Sequence, residues 1–378
     1  MKILLVSNMY PDKKHPSYGI FVKRFANELE KLGICYDCSV MHQKNCKIEK
    51  VVGYVKFYCR TFIKVLTGTY DVIYIHYASH SSIPILAVSR FKKLNIYTNV
   101  HGSDVVPINE HQEKMQKYTK AILNKSQKVI VPSEFFKEYV SNKYDIATNV
   151  ITIYPSGGID KNVFFPMCKK EIEYIRKQYG IDNELITFGM AGRLIERKGW
   201  KFFVKAIKLL NDRGIKANFM IAGSGPDEDK LDKLINECGL KNIIKRIELL
   251  PQKELCKFYN IVDYFVFPSS LSESLGLVAI EAMACGTPVI ASNFAAPKYY
   301  IQNGVNGYKF EKGNIEELAD VMARCIENQN PDLQGKAFDY KNNMTYSIMR
   351  AKALETAEKY DNNHIRRILK NLFTHGDS

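Results

Sequence analysis

Short, nearly continuous apolar runs recur along the first half of the chain. Each is followed by a longer stretch in which apolar positions return every three or four residues. The runs at Lys2–Ser7, Tyr36–Met41, Val72–His76, Ile96–Val100, Lys128–Val131 and Val150–Tyr154 predict strands buried on both faces. Between them, Phe21–Leu32, Val51–Leu66, Ile83–Lys92 and Glu134–Lys143 carry the helical period. Strand–helix alternation at this spacing predicts a parallel, doubly wound sheet. A Pro/Gly-rich stretch, Pro155-Ser156-Gly157-Gly158 through Phe165-Pro166, interrupts the pattern and reads as a linker. The alternation then restarts, with strands at Ile186–Ala191, Ala217–Ala222, Ile247–Leu250, Tyr264–Phe267 and Val289–Ala291. Helices such as Trp200–Asp212 and Asp227–Glu237 separate them.

Two α/β domains of Rossmann-like, doubly wound parallel-sheet type are therefore expected, over 1–165 and 166–361. Ligands of open parallel sheets bind outside the carboxyl ends of the strands, so the two sheets are expected to face one cleft. A helical pattern from Asn362 to Phe373 opens the terminal segment 362–378, which periodicity alone does not place. The length of 378 residues fits this division, since it exceeds one ordinary core. No apolar run approaches the roughly 18 residues of a membrane span. Ile3 to Val6 is too short for a signal-peptide core. The protein is expected in the cytoplasm.

Charge changes the picture of the first half. Residues 1–165 hold 23 Lys/Arg against 13 Asp/Glu and the remainder 31 against 27, so most of the +14 surplus sits there. An anionic substrate, an anionic membrane face or nucleic acid would each suit it. No nucleic-acid module is recognisable, and no nucleic-acid partner is expected. Nine scattered cysteines argue against a disulfide framework. Cys35-Tyr36-Asp37-Cys38 forms a C-x-x-C without a matching second pair, and buried, inert thiols are expected there rather than a metal site.

The densest chemistry lies at Glu273-Ser274-Leu275-Gly276-Leu277 and the apolar stretch that runs on through Glu281 to Gly286 and Pro288. Eight helical residues rise roughly 12 Å, about the reach from a nucleotide ribose to a sugar on its second phosphate. The free amides of a first helical turn near Leu275, Gly276 and Leu277 would lie between the two carboxylates and suit a diphosphate. Upstream, strand Ile186–Ala191 runs into Gly192-Arg193 and on to Lys198-Gly199. Two cations at the carboxyl end of a strand could neutralise a diphosphate, although a single Arg or Lys in a loop is usually just solvated. Gly223-Ser224-Gly225 follows the next strand and reads equally as a tight turn or as a nucleotide-adjacent loop. Asp263 reads as a cap or turn residue. In the first domain, Gly19 would let backbone amides approach a ligand, or would only open a helix. His101, in His101-Gly102-Ser103-Asp104 at the end of a strand, is expected to contact a transferred sugar rather than merely pack.

Gly19, His101-Gly102-Ser103-Asp104, Pro155-Ser156-Gly157-Gly158-Ile159-Asp160, Gly192-Arg193…Lys198-Gly199, Gly223-Ser224-Gly225 and Glu273…Glu281 occur in the order seen in the family 4 retaining glycosyltransferases of GT-B fold. The resemblance runs from the first strand to about Gly307, and its E-x7-E block is specific. The opening, Ser7-Asn8-Met9-Tyr10-Pro11 through Tyr18-Gly19-Ile20-Phe21-Val22, is similar to members that build bacterial cell-surface polysaccharides. This resemblance implies a donor-binding second domain and an acceptor-binding first domain, with 362–378 crossing back onto the first. It implies catalytic roles for His101, Arg193, Lys198 and Glu273. Donor contacts would come from Gly19, Gly192, Arg193, Lys198, Gly223, Glu273, Leu275, Gly276, Leu277 and Glu281, with Glu281 on the ribose hydroxyls and Glu273 on the sugar. The chain departs from the pattern at Tyr18, Ser156 and Leu275, where relatives commonly carry glycine, asparagine and an aromatic residue.

The expected reaction moves a hexose from a nucleotide diphosphate sugar, UDP- or GDP-linked, to a hydroxyl of a lipid-linked or oligosaccharide acceptor. No metal-binding motif is read in the sequence, so neither metal nor cofactor is expected. A sugar-nucleotide epimerase of the same fold and a non-catalytic sugar-nucleotide-binding subunit are the rival readings. Lys56, Arg60 and Lys64, with Lys50 one turn earlier, recur beside Val55, Phe57, Tyr58 and Phe62. Such a helix would either rest peripherally on anionic lipid at the inner face of the cell membrane or pack with a solvated basic face.

Overall fold

A computed structural model describes residues 1–155, 158–248, 250–329 and 344–374. Ser156 and Gly157 of the expected linker, and the last four residues of the terminal segment, lie outside the described residues. The chain divides into two compact units, Met1–Gly158 with Ile365–Ser378, and Ile159–His364.

The first unit carries a six-stranded, all-parallel sheet of β1 (Lys2–Tyr10), β2 (Cys35–His42), β3 (Val72–His76), β4 (Ile96–Asn99), β5 (Lys128–Val131) and β6 (Ile151–Ile153), in the order β2-β1-β3-β4-β5-β6. Ile3, Leu4, Leu5 and Val6 have no exposed surface, because helices cover both faces of β1. Helix α1 (Ile20–Lys31) buries Val22, Phe25, Ala26 and Leu29, one face of a 3.6-residue period. Helix α2 (Lys47–Thr67) buries Phe57, Thr61 and Val65 on the opposite side of the sheet. The helix Asn362–Thr374 packs Ile365, Leu369, Leu372 and Phe373 beside Ile3, Leu5, Val72 and Tyr74 of this sheet. Arg366 adds an ion pair to Glu28 of α1 at 2.7 Å.

The second unit repeats the architecture with β7 (Thr187–Ala191), β8 (Asn218–Ala222), β9 (Ile244–Ile247), β10 (Tyr264–Phe267), β11 (Val289–Ser292) and β12 (Gly307–Phe310). Its order, β12-β11-β10-β7-β8-β9, reverses direction between β7 and β10. That reversal opens a crevice at the carboxyl ends of those two strands. The helix Trp200–Asp212 buries Trp200, Phe203, Val204, Ala206, Ile207 and Leu210 on one face of the sheet.

Several local expectations are corrected. The strand expected at Ile247–Leu250 is β9, and it lies upstream. It is an edge strand, and its Lys245 and Arg246 break the apolar run that identifies a central one. Strand β12 is a second edge strand with little apolar signal of its own. The helix expected to reach Lys92 ends at Val88. Asp263 is no cap: it is buried against Arg176 at 3.3 Å and accepts the Thr187 amide at 2.8 Å. Cys35, Cys46 and Cys59 are exposed rather than buried.

Candidate active site

At the carboxyl end of β7 the chain turns through Gly192 and Arg193, and at the end of β8 through Gly223. The two turns touch backbone to backbone: a Cβ on Gly223, whose φ is +136°, would stand 1.9 Å from the Gly192 carbonyl oxygen. Glycine is the only residue that permits this approach. The loop Arg193–Lys198 is pinned in the same way against the end of β10. A Cβ on Gly199 would stand 1.9 Å from the Pro268 carbonyl oxygen.

This pinning brings Lys198 to Glu273. Its Nζ donates to Glu273 Oε1 at 2.7 Å, with the two side chains 25% and 14% exposed. Ser269 Oγ donates to the same oxygen at 2.8 Å, and the Lys198 ammonium stands 5.9 Å from the Phe267 ring centroid. The backbone reinforces the arrangement, since the Ser270 amide donates to the Arg197 carbonyl at 2.9 Å. Arg193 is exposed at the mouth of the same crevice.

The helix that follows covers only Leu277–Ala284, with Gly276 as its left-handed N-cap. Glu273 therefore sits in the preceding loop, and the helical rise does not measure its separation from Glu281. Leu275 turns its side chain into the core, only 4% exposed. Among the described residues, no protein acceptor meets the amides of Leu275, Gly276 and Leu277. Such free amides at a helix start carry a partial positive charge beside the Lys198–Glu273 pair.

Glu281 lies one turn into this helix. Its Oε2 accepts the Tyr259 hydroxyl at 3.0 Å. Burial, reinforced by the Glu281 charge, drives the Tyr259 phenol well above its ordinary value, so it remains a donor. Tyr259 also walls a cavity of about 370 Å³, with Gly192, Arg193, Gly223, Leu250, Leu255 and Val278. One side of this cavity is backbone and glycine; the other is apolar side chain.

The first unit carries its own polar cluster at the carboxyl ends of its strands. Gly19 is the N-cap of α1, held against the backbone of Met9 and Tyr10 at the end of β1. His101 Nε2 and His76 Nδ1 are hydrogen-bonded at 2.9 Å, and the Phe21 ring stands 4.3 Å from the His101 ring. Burial lowers the His101 imidazole to about 3 and His76 well below its ordinary value. Asp104 holds the turn by accepting the amides of Gly102 at 2.8 Å, Ala78 at 3.0 Å and His101 at 3.1 Å. A second cavity of about 970 Å³ lies in this unit, lined by Tyr18, Lys47, Lys50, Tyr54, Tyr77, His80 and His111, among others. His80 and His111 stack there with Nε2 atoms 3.3 Å apart, and burial with the His111 charge lowers His80 to about 4.

Two family models cover most of the chain. Residues 19–160 match Glycosyltransferase Family 4, and residues 171–343 match Glycosyl transferases group 1. The chain is a family 4 glycosyltransferase. It is 24% identical over 373 residues to the D-inositol 3-phosphate glycosyltransferase of Corynebacterium jeikeium, covering 86% of this chain and 88% of that one. It is 30% identical over 264 residues to an uncharacterized glycosyltransferase of Methanocaldococcus jannaschii, covering 68% and 66%. In fold it is similar to Anabaena HepE in complex with UDP, at TM-score 0.75 and 18% identity over 99% of this chain and 100% of that one. Sucrose-phosphate synthase of Thermosynechococcus elongatus matches at TM-score 0.75 and 18% identity, over 99% and 98%.

Within this glycosyltransferase, the second unit gathers Gly192, Arg193, Lys198, Gly223, Glu273, Leu275, Gly276, Leu277 and Glu281 around the reversal between β7 and β10. Gly19 and His101 belong to the first unit. Sequence reasoning missed Tyr259, Ser269, Leu255 and Val278. Tyr259 sits in an apolar helical pattern, and nothing in that pattern marks its hydroxyl as reaching Glu281.

Proposed function

We propose that this glycosyltransferase uses a nucleotide diphosphate sugar and transfers a hexose with retention to a hydroxyl of a lipid-linked or oligosaccharide acceptor. The observation that carries this reading is the set of Arg193, Lys198, Glu273 and the free amides of Leu275 to Leu277 at one strand-order reversal. A diphosphate there meets two cations and a helix start, a sugar meets Glu273, and a ribose meets Glu281. The base would occupy the cavity beside Tyr259. Anabaena HepE, of similar fold, has been captured with UDP-glucose, which supports a uridine donor.

In the proposed step the bond from the anomeric carbon to the diphosphate oxygen breaks. An acceptor oxygen bonds to the anomeric carbon from the same face, and its proton passes to the departing diphosphate. Arg193, Lys198 and the amides stabilise the charge that develops on the leaving group, the interaction that counts most in such chemistry. These cations do the work a divalent ion does elsewhere, so no metal is required in this proposal. Glu273 holds Lys198 and orients the sugar. His101, kept neutral by burial, is a hydrogen-bonding group for a sugar at the strand ends of the first unit. The cavity of the first unit, with Tyr54, Tyr77 and His80, suits the acceptor.

The test is a thermal-shift panel of UDP-, GDP- and ADP-sugars, followed by release of nucleoside diphosphate with and without lipid-linked acceptors. Stabilisation by one donor and acceptor-dependent release are expected. Conversion of the donor sugar with no release would point to an epimerase, and binding of no donor would overturn the reading.

A further inference from the structure

Of the basic residues expected to meet lipid, Lys50 and Lys56 are exposed, but Arg60 and Lys64 bond to the neighbouring strand. Arg60 donates to the Val40 carbonyl and Lys64 Nζ to the Cys38 carbonyl at 3.0 Å, so both are turned onto β2. The solvent side of α2 is instead apolar. Ile48, Val51, Val52, Val55, Ile63 and Leu66 are between 43% and 74% exposed, and Cys59 between them is exposed as well. At 100° per residue these positions fall within a sector of about 120°, a continuous stripe along a helix of roughly 30 Å. The sector that faces the body of the unit is occupied by Phe57, Thr61 and Val65, which are buried. A stripe of this length on the surface marks a site of contact.

Cations border the stripe. Lys44, Lys47 and Lys50 are exposed around the start of α2, and Lys56 lies along one edge. At the other end, Lys92 Nζ donates to the Val65, Leu66 and Gly68 carbonyls, which holds the segment around it against the end of α2. The neighbouring Phe91 is 80% exposed, between exposed Arg90 and Lys93. Glu49 is the single acid of α2. An apolar stripe with a basic border, lying along the surface of one unit, is complementary to the acyl–headgroup boundary of an anionic bilayer.

We infer that α2 and Phe91 form a membrane-docking surface that inserts into an anionic lipid bilayer. Ile48, Val52, Val55, Ile63, Leu66 and Phe91 enter the acyl boundary, while Lys44, Lys56, Arg90 and Lys93 meet lipid phosphates. Val51, at the edge of the stripe, also lines the large cavity of the first unit, so the cavity lies beside this surface. The inference rests on α2 and its neighbours in the first unit and is independent of the sugar-transfer reading.

Vesicle flotation of the full chain tests it, with phosphatidylcholine vesicles made with and without phosphatidylglycerol. The native protein floats with the anionic vesicles and stays behind with the neutral ones. Val52→Ser/Val55→Ser/Ile63→Ser, which changes only exposed positions, weakens partitioning by about tenfold or more, the loss expected from withdrawing three partly inserted side chains. Lys56→Glu/Lys93→Glu weakens it further at low salt than at high salt. Native protein that does not float, or a triple serine variant that floats equally well, overturns the inference. A native dimer on sizing that the serine variant converts to monomer overturns it too, because a second copy then covers the stripe. An unchanged denaturant midpoint of the first unit, measured on the same samples, shows that each variant is folded, and UDP binding by the second unit is followed separately. Loss of UDP binding in the native protein would count against the donor reading alone.

Discussion

Lys198 and Glu273 are ion-paired at 2.7 Å, although they come from different βα loops of the second unit. In the proposed reaction the pair joins the residue that would stabilise the leaving group to the one that would hold the sugar. Neither side chain can be removed without releasing the other. Lys198→Ala and Glu273→Ala are each expected to lower turnover by about 10²- to 10³-fold, and the double variant by far less than the product. Rates of nucleoside diphosphate release in a double-mutant cycle check this; additive losses would show that the two act separately.

Tyr259 and Glu281 form the second side-chain pair of the site. Tyr259→Phe removes one hydrogen bond to a carboxylate while keeping the ring that walls the cavity. Nucleotide affinity is expected to fall by about tenfold with turnover at saturation little changed, given a charge-assisted bond of roughly 1.5 kcal/mol. Calorimetric titration with UDP measures it.

Gly223 and Gly214 separate two effects of adding a methyl group. Both have positive φ, but a Cβ on Gly223 meets the Gly192 carbonyl whereas one on Gly214 meets nothing within 4 Å. Gly214→Ala should cost about 1 kcal/mol, the left-handed backbone term alone. Gly223→Ala should cost several times more and abolish nucleotide binding. Equal midpoints in urea would refute the clash.

Leu369 tests the terminal helix. Its side chain is fully buried against the first sheet. Leu369→Ala is expected to destabilise the first unit by about 2–5 kcal/mol and leave UDP binding intact. Denaturant unfolding followed alongside UDP binding distinguishes the units; loss of UDP binding in buffer would contradict this assignment.

Three histidines of the first unit set an acid limit. His101 and His80 have folded values of about 3 and about 4 against an ordinary 6.5, and His76 is lowered as well. Between those values the unfolded chain binds more protons than the native one. Stability is therefore complete above about pH 6.5 and is lost as pH falls toward 4. Asp104, whose carboxyl burial raises, opposes this. The thermal midpoint is expected to fall from about pH 7 to about pH 5, mainly through the first unit; a flat profile would mean the histidines charge without penalty.

Much of the fold was legible because a strand buried on both faces leaves a continuous apolar run. Val72–His76, Lys128–Val131 and Tyr264–Phe267 lie where that pattern puts them, and the period of Trp200–Asp212 marks a core-facing helix. The edge strand β9 was placed several residues too late and β12 escaped, since a strand with one neighbour needs fewer apolar residues. The individual site residues were visible as glycines and charges beside strand ends. Their pairings were not.

By itself, the sequence determined the two parallel sheets, the loops that end their strands and the charged residues those loops carry. The tertiary structure alone decided which of these meet. Close backbone packing at Gly199 brings Lys198 to Glu273, and the core position of Tyr259 brings its hydroxyl to Glu281. It also decided that Arg60 and Lys64 bond to β2 while an apolar stripe of α2 faces outward. Periodicity records how buried each position is, whereas a side chain's partner depends on how separate loops and elements pack together.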